Sequence, residues 1–158
     1  MKDEFLKYLE SIGMTKTLRK RVETIYAFYT ETCPDEITDI FVSDYIKEDR
    51  TREYQNLWFF SPKCCMEAHS FITEDYFDID AMQNRIATWE IRKQDYDFKK
   101  ATEKSRLHLV FWLPPDRHAE FKASKENCDY LKDIFLKYVV PNLIQCEKAR
   151  DFGKEDTA

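Results

Sequence analysis

Ala119-Glu-Phe-Lys-Ala-Ser-Lys-Glu-Asn-Cys-Asp-Tyr-Leu-Lys-Asp-Ile-Phe-Leu-Lys-Tyr-Val-Val-Pro-Asn-Leu143 changes its apolar period part-way along, and that change decides the fold. Ala119, Phe121 and Ala123 alternate with Glu120 and Lys122, the two-residue period of a half-buried strand. From Ser124 onward Cys128, Leu131, Phe135 and Tyr138 share one helical face, with Ile134 and Val139 beside it. Ser124 is placed to cap this helix, its hydroxyl accepting from an unpaired first-turn amide. Pro141 cannot donate to the carbonyl of Lys137, so the helix kinks or ends there. Upstream as far as Ile37 the chain reads as short strands, and a sheet of such strands needs this helix to cover it.

Six further strands are expected ahead of the Ala119 strand. They are Ile37 to Ile46, Tyr54 to Phe60, Cys64 to Phe71, Tyr76 to Met82, Ile86 to Phe98 and Arg106 to Leu113. Leu57-Trp58-Phe59-Phe60 is apolar on both faces, and Leu107, Leu109, Phe111 and Leu113 line one side of the sixth strand. Ser61-Pro62-Lys63 reads as a tight turn, and Lys99 to Ser105 and Pro114-Pro115-Asp116 as connections. No helix separates these strands, so the sheet is antiparallel and must curl or pair to protect its edges. Ahead of them stand two helices. Residues 3 to 12 carry Phe5, Leu9 and Ile12 on one face with Gly13 as the stop. Thr15 caps a second helix with the stripe Leu18, Val22, Ile25 and Tyr29, ended by Cys33-Pro34. Arg19, Lys20 and Arg21 point around that helix and form a solvated rim. The tail from Arg150 is polar.

Composition narrows the function classes. At 158 residues the chain suggests one domain with a real core, and 12 Phe, 9 Tyr and 3 Trp supply an aromatic excess. Gly13 and Gly153 are the only glycines, so the middle of the chain has no phosphate-cradling loop and a dinucleotide or P-loop fold is excluded. The net charge of −5 argues against nucleic acid, which calls for a basic footprint. Five cysteines (Cys33, Cys64, Cys65, Cys128, Cys146) include no C-x-x-C, which argues against a disulfide framework and a structural zinc site. The N-terminus lacks a signal-like apolar run and no stretch approaches about 18 apolar residues. A reduced cytoplasmic setting is the expectation.

Seven antiparallel strands closed by a C-terminal amphipathic helix resemble the pleckstrin-homology (PH) superfold, with a texture near the small bacterial PH-like domains. Phe77-Asp-Ile-Asp-Ala-Met-Gln-Asn-Arg-Ile86 resembles that group's fourth-to-fifth strand stretch, and the Leu107–Leu113 strand, the Phe121 strand and the Ser124 helix resemble its close. The resemblance covers roughly residues 37 to 145 and is topological. It implies a non-catalytic module that binds phosphoinositides, peptides or proteins. The expected fold is therefore α+β: an N-terminal helical hairpin (1–34) packed on a seven-stranded antiparallel PH-like barrel with a C-terminal helix (35–148), then a polar tail (149–158).

Each candidate site has a plain structural counterpart. Lys47, Arg50 and Arg52 in the first inter-strand connection resemble the basic pattern with which some PH domains hold inositol phosphates. Glu48, Asp49 and Glu53 are interleaved with them, and a mixed charge cluster is ordinarily a solvated face. Glu67 and His69 share a strand face as two metal ligands would, but no third ligand stands at a recognisable spacing. Asp78 and Asp80 also share a face, the ordinary place for solvated carboxylates. Cys64 and Cys65 point to opposite faces, one buried and one exposed. Asp151-Phe-Gly153 matches the kinase magnesium triplet by letters alone. No catalytic residue, metal or cofactor is expected. The leading expectation is a binding module for a protein partner, or one that self-associates, through surplus aromatic surface. A phosphoinositide adaptor using Lys47, Arg50 and Arg52 is the alternative, with a membrane surface disfavoured by the acidic charge. A third is a small-ligand enzyme on a cone-shaped α+β sheet of the nuclear-transport-factor-like type.

Overall fold

A computed structural model describes residues 1–32, 35–69, 71, 78–83, 86, 88–94, 106–113 and 117–142. Two helices open the chain, α1 (Asp3–Ser11) and α2 (Lys16–Thr32). Thr15 caps α2 as its sequence implies, its Oγ1 accepting from the Leu18 amide at 3.3 Å. Gly13 joins the helices at φ +80°, a left-handed conformation that glycine adopts without steric cost. Seven strands follow: β1 (Asp39–Ile46), β2 (Arg52–Phe60), β3 (Cys64–His69), β4 (Asp78–Gln83), β5 (Thr88–Gln94), β6 (Arg106–Leu113) and β7 (Arg117–Ser124). The last helix, α3, spans Asn127–Ile134. It widens into a π-helical turn over Phe135–Val139 and tightens into a 3₁₀ turn over Val140–Asn142, where Pro141 removes an amide donor.

The fold class is α+β, but the strands do not form one closed seven-stranded barrel. They make two antiparallel sheets, β1-β2-β3-β4 and β5-β6-β7. The reason is visible where β1 meets β7. Two residues of β2, Gln55 and Asn56, oppose Ser43 alone, which breaks the register of β1. The side chains of Ser43 and Asp44 then take the amides of Lys122 (3.3 Å) and Ser124 (3.0 Å) that a backbone ladder would have used.

Packing follows the two apolar faces of β2. On one side Tyr26 and Tyr29 of α2 lie with ring centroids 6.0 and 5.8 Å from Phe59. On the other, Trp58 packs on Phe121 of β7 at 4.3 Å, and Phe121 stacks on Phe111 of β6 at 4.9 Å. The four-stranded sheet is thus a middle layer between the N-terminal helices and the second sheet, so its central strand must be apolar on both faces. α3 lies against β1, β6 and β7, and Tyr138 beyond it stacks on Phe60 at 4.8 Å. Leu131, Ile134 and Tyr138 are buried, as their helical spacing requires. Phe135 is only partly buried, because the π turn rotates it onto the edge strand, where it meets Trp89 at 4.9 Å.

Ser124 does not cap α3. It closes β7, its hydroxyl donates to Asp44, and a two-residue turn with Lys125 at φ 49° separates it from the helix. β2 begins at Arg52 rather than Tyr54, and β5 stops at Gln94 within the described residues. The connections at 99–105 and 114–116, the Cys33-Pro34 stop, Cys146 and the Asp151-Phe-Gly153 triplet lie outside the described residues. Among the described residues no helix is long and apolar enough to cross a membrane.

Candidate functional site

The basic loop resolves into three separate situations. A tight turn forms where Lys47 accepts from the Arg50 amide and donates its own to Thr51, both at 2.9 Å. Lys47 Nζ is held by Glu53 at 3.0 Å, and Arg50 projects from the turn in a left-handed conformation at φ 68°. Arg52 turns inward. Its Nε forms an ion pair with Asp44 at 2.7 Å, and Nη1 donates to Glu126 at 2.8 Å and to the carbonyl of Ile12. Of the three cations, Arg50 alone is left without an ion-pair partner among the described residues. The loop therefore offers one free guanidinium, not a cradle of three.

Arg52 belongs to a buried polar network that sequence reasoning missed. Asp44 is fully buried, and it accepts from the Ser124 amide at 3.0 Å and from Asn127 Nδ2 at 2.7 Å. Asn127 also donates to the Val42 carbonyl at 2.8 Å and accepts from the Tyr8 hydroxyl at 2.8 Å. Tyr8 in turn accepts from the Val42 amide at 3.0 Å. Tyr54 adds a bond to the Ile12 carbonyl at 2.6 Å. The network ties the end of α1 to the β1–β2 hairpin and the start of α3. Desolvation raises the Tyr8 phenol well above its ordinary range, so it stays a neutral donor. Every oxygen of Asp44 is engaged, which makes the network a fastener rather than a reactive site. A polar Asp in a strand otherwise apolar on alternate positions was the one available signal.

A second polar cluster lies on the face that carries the aromatic core. Phe41, Trp58, Glu67 and Asp80 are directly opposed across β1, β2, β3 and β4, so they share one face of the sheet. This row passes from apolar to acidic. Glu67 accepts from Asn56 Nδ2 at 2.6 Å and lies 3.4 Å from His69 Nε2. His69 also meets Asp80 at 2.9 Å, and Arg117 reaches the same Asp80 oxygen from β7 at 2.8 Å. Sequence spacing paired Glu67 with His69. It could not find Asp80 and Arg117, which arrive through strand register and sheet packing. Three potential ligands meet here, yet no group among the described residues has metal-binding geometry.

The two carboxyls are driven apart in acidity. Burial raises Glu67 against the pull of His69 and Arg117. Partial burial would raise Asp80 as well, but hydrogen bonds from His69 and Arg117 prevail and hold it below its ordinary value. A carboxyl raised in the folded state contributes stability below its unfolded pKa and loses it as pH rises through the folded one. Glu67→Gln, which keeps an acceptor for Asn56, is accordingly expected to raise the urea midpoint at neutral pH. The gain should vanish once both states are protonated in acid. Equal midpoints for the two proteins at every pH would refute it.

Two of the described cysteines, Cys65 and Cys128, are chemically quiet. Burial pushes the thiols of Cys65 and Cys128 up to about 12, far from the thiolate a nucleophile needs. Cys64 is half-buried, with Sγ 3.7 Å from Asp35.

Apolar side chains remain uncovered at one edge. β5 is an outer strand of its sheet, and Trp89 and Ile91 stand opposite the buried Phe111 and Leu109. They carry the core face outward yet stay 40% and 42% exposed. Leu136 and Val140, beyond α3, are 63% and 45% exposed. Comparison with known proteins gives no matching family, no matching curated protein and no matching solved structure.

Proposed function

We propose that the chain is a non-catalytic binding module of PH-like arrangement that recognises a protein through the β5 edge. The division of seven consecutive antiparallel strands into four and three, followed by a helix, supports the PH-like reading. The observation that carries the function is the exposed Trp89 and Ile91 on an outer strand. An edge strand presents unpaired backbone groups, and natural edges are normally blunted by charge, proline or cover. On β5 Trp89 and Ile91 alternate with the charged Glu90 and Arg92, so apolar side chains line one face of the edge, which suits addition of a partner strand with side-chain pockets for specificity. The internally satisfied His69 and Asp44 clusters, by contrast, offer no group poised for reaction.

The test compares the native chain with a Trp89→Glu/Ile91→Glu variant. The two side chains are 40% and 42% exposed and Trp89 packs on Phe135, so a thermal melt first establishes that the variant is folded. Sedimentation velocity over a range of concentrations reads self-association, and capture from cell extract reads other partners. An assembly formed by the native chain and lost in the variant is the expected result. Identical behaviour of the two proteins in both measurements would overturn the proposal.

A further inference from the structure

A cleft of about 240 Å³ opens between α1, β1 and α3, sharing Tyr8 with the Asp44 network and no residue with the His69 cluster. Its lining combines Phe5, Tyr8, Ile40, Tyr130 and Ile134 with three carboxylates, Glu4, Asp39 and Asp133, and no basic residue. Phe5, Tyr8, Ile40 and Ile134 are buried and make an apolar floor. Tyr8 and Tyr130 meet edge to face at 4.5 Å, which fixes one wall. Glu4 and Asp133 are exposed.

The carboxylates are not equivalent. Asp39 is already neutralised by Lys137 Nζ at 2.6 Å and accepts from the Tyr138 hydroxyl as well. The π-helical turn places both of those side chains. Glu4 and Asp133 have no ion-pair partner among the described residues. Outside the cleft lining, Lys2 Nζ is held by Glu36 at 2.9 Å and sits 5.5 Å from the centre of the Phe5 ring, so this ring already lies beside an ammonium group. Acidic rim, aromatic wall and apolar floor together match an ammonium group on a hydrocarbon stem, the two ends of a lysine side chain. Size agrees, since about 240 Å³ falls below the roughly 300 Å³ at which small-molecule pockets begin. A hard metal ion would call for several oxygen donors in place of rings.

We propose that this cleft receives a lysine side chain of the partner polypeptide, its stem on Phe5 and Ile40 and its ammonium at Glu4 and Asp133. The inference rests on the reading of the chain as a protein-binding module, and it assigns that partner a basic segment. The net charge of −5 favours the approach of such a segment.

The experiment is a ¹⁵N chemical-shift titration with a capped pentapeptide carrying one lysine among glycines. The same peptide with norleucine for lysine, and free cadaverine, are the comparators. Shifts confined to the amides of Phe5, Tyr130 and Ile134, with affinity in the region of ~1 mM, are expected for the lysine peptide. Glu4→Gln/Asp133→Asn should weaken it about tenfold or more with thermal stability unchanged. Equal shifts from norleucine, no shifts at about 10 mM peptide, or an unaffected double variant would overturn the proposal. Binding of cadaverine without the peptide would overturn it too, assigning the cleft to free amines. Failure here leaves the β5 edge to be judged by its own variant, since Trp89 and Ile91 do not line the cleft.

Discussion

Phe121→Ala is expected to remove about 3–5 kcal/mol of stability, a large part of the roughly 5–15 kcal/mol that holds a domain folded. Phe121 is fully buried and is the point at which the two sheets meet. Its ring lies 4.3 Å from Trp58, 4.9 Å from Phe111, 5.9 Å from Phe41 and 6.1 Å from Phe60. These neighbours come from β1, β2 and β6, so no single side-chain movement can refill the space. The cavity term therefore adds to the lost burial. Urea unfolding followed by far-ultraviolet circular dichroism measures the change directly. A loss under about 1 kcal/mol would mean that the sheets repack around alanine, and that Phe121 is not the contact joining them.

Asp44→Ala should cost a similar amount, about 3–5 kcal/mol, for a different reason. The carboxylate has no exposed surface, and its removal takes the buried acceptor away from Arg52 Nε, the Ser124 amide and Asn127 Nδ2, while Glu126 still pairs Arg52 through Nη1. Leaving several buried donors without an acceptor costs more than the ion pair itself stabilised. The double replacement Asp44→Leu/Arg52→Met should consequently be less damaging than Asp44→Ala alone. Chemical denaturation of the three proteins tests this. A double variant no more stable than Asp44→Ala would refute it. Because Tyr8 and Ile12 share the network, Asp44→Ala should also speed hydrogen exchange in α1.

These two residues illustrate what a linear reading can and cannot supply. Phe121 was legible: it sits at the centre of an alternating Ala-x-Phe-x-Ala strand, and period two places it inside. Asp44 was not. It shares its strand face with Ile40, Val42 and Ile46, and that alternation was the only local hint of burial; nothing local named what would satisfy the carboxylate. Its partners stand 8 residues away at Arg52 and some 80 away at Ser124 and Asn127. Lys47, Arg50 and Arg52 show the same limit from the other side. Spacing grouped them as one basic loop, whereas the start of β2 at Arg52 turns that side chain toward Asp44.

By itself the sequence determined the two leading helices, the seven short strands and their antiparallel sense. It also determined most of the apolar residues that enter the core, Phe135 excepted, because hydrophobic period and turn chemistry are local properties. The tertiary structure alone decided that the strands divide into sheets of four and three. It also decided that Ser124 fastens a strand instead of capping a helix, that Phe135 rotates to the β5 edge, and that Glu67, His69, Asp80 and Arg117 meet. The rotation of Phe135 depends on the π turn, and the other outcomes on how strands far apart in the chain come together. A one-residue bulge such as the one opposite Ser43 redirects side chains without altering the apolar pattern that a sequence displays.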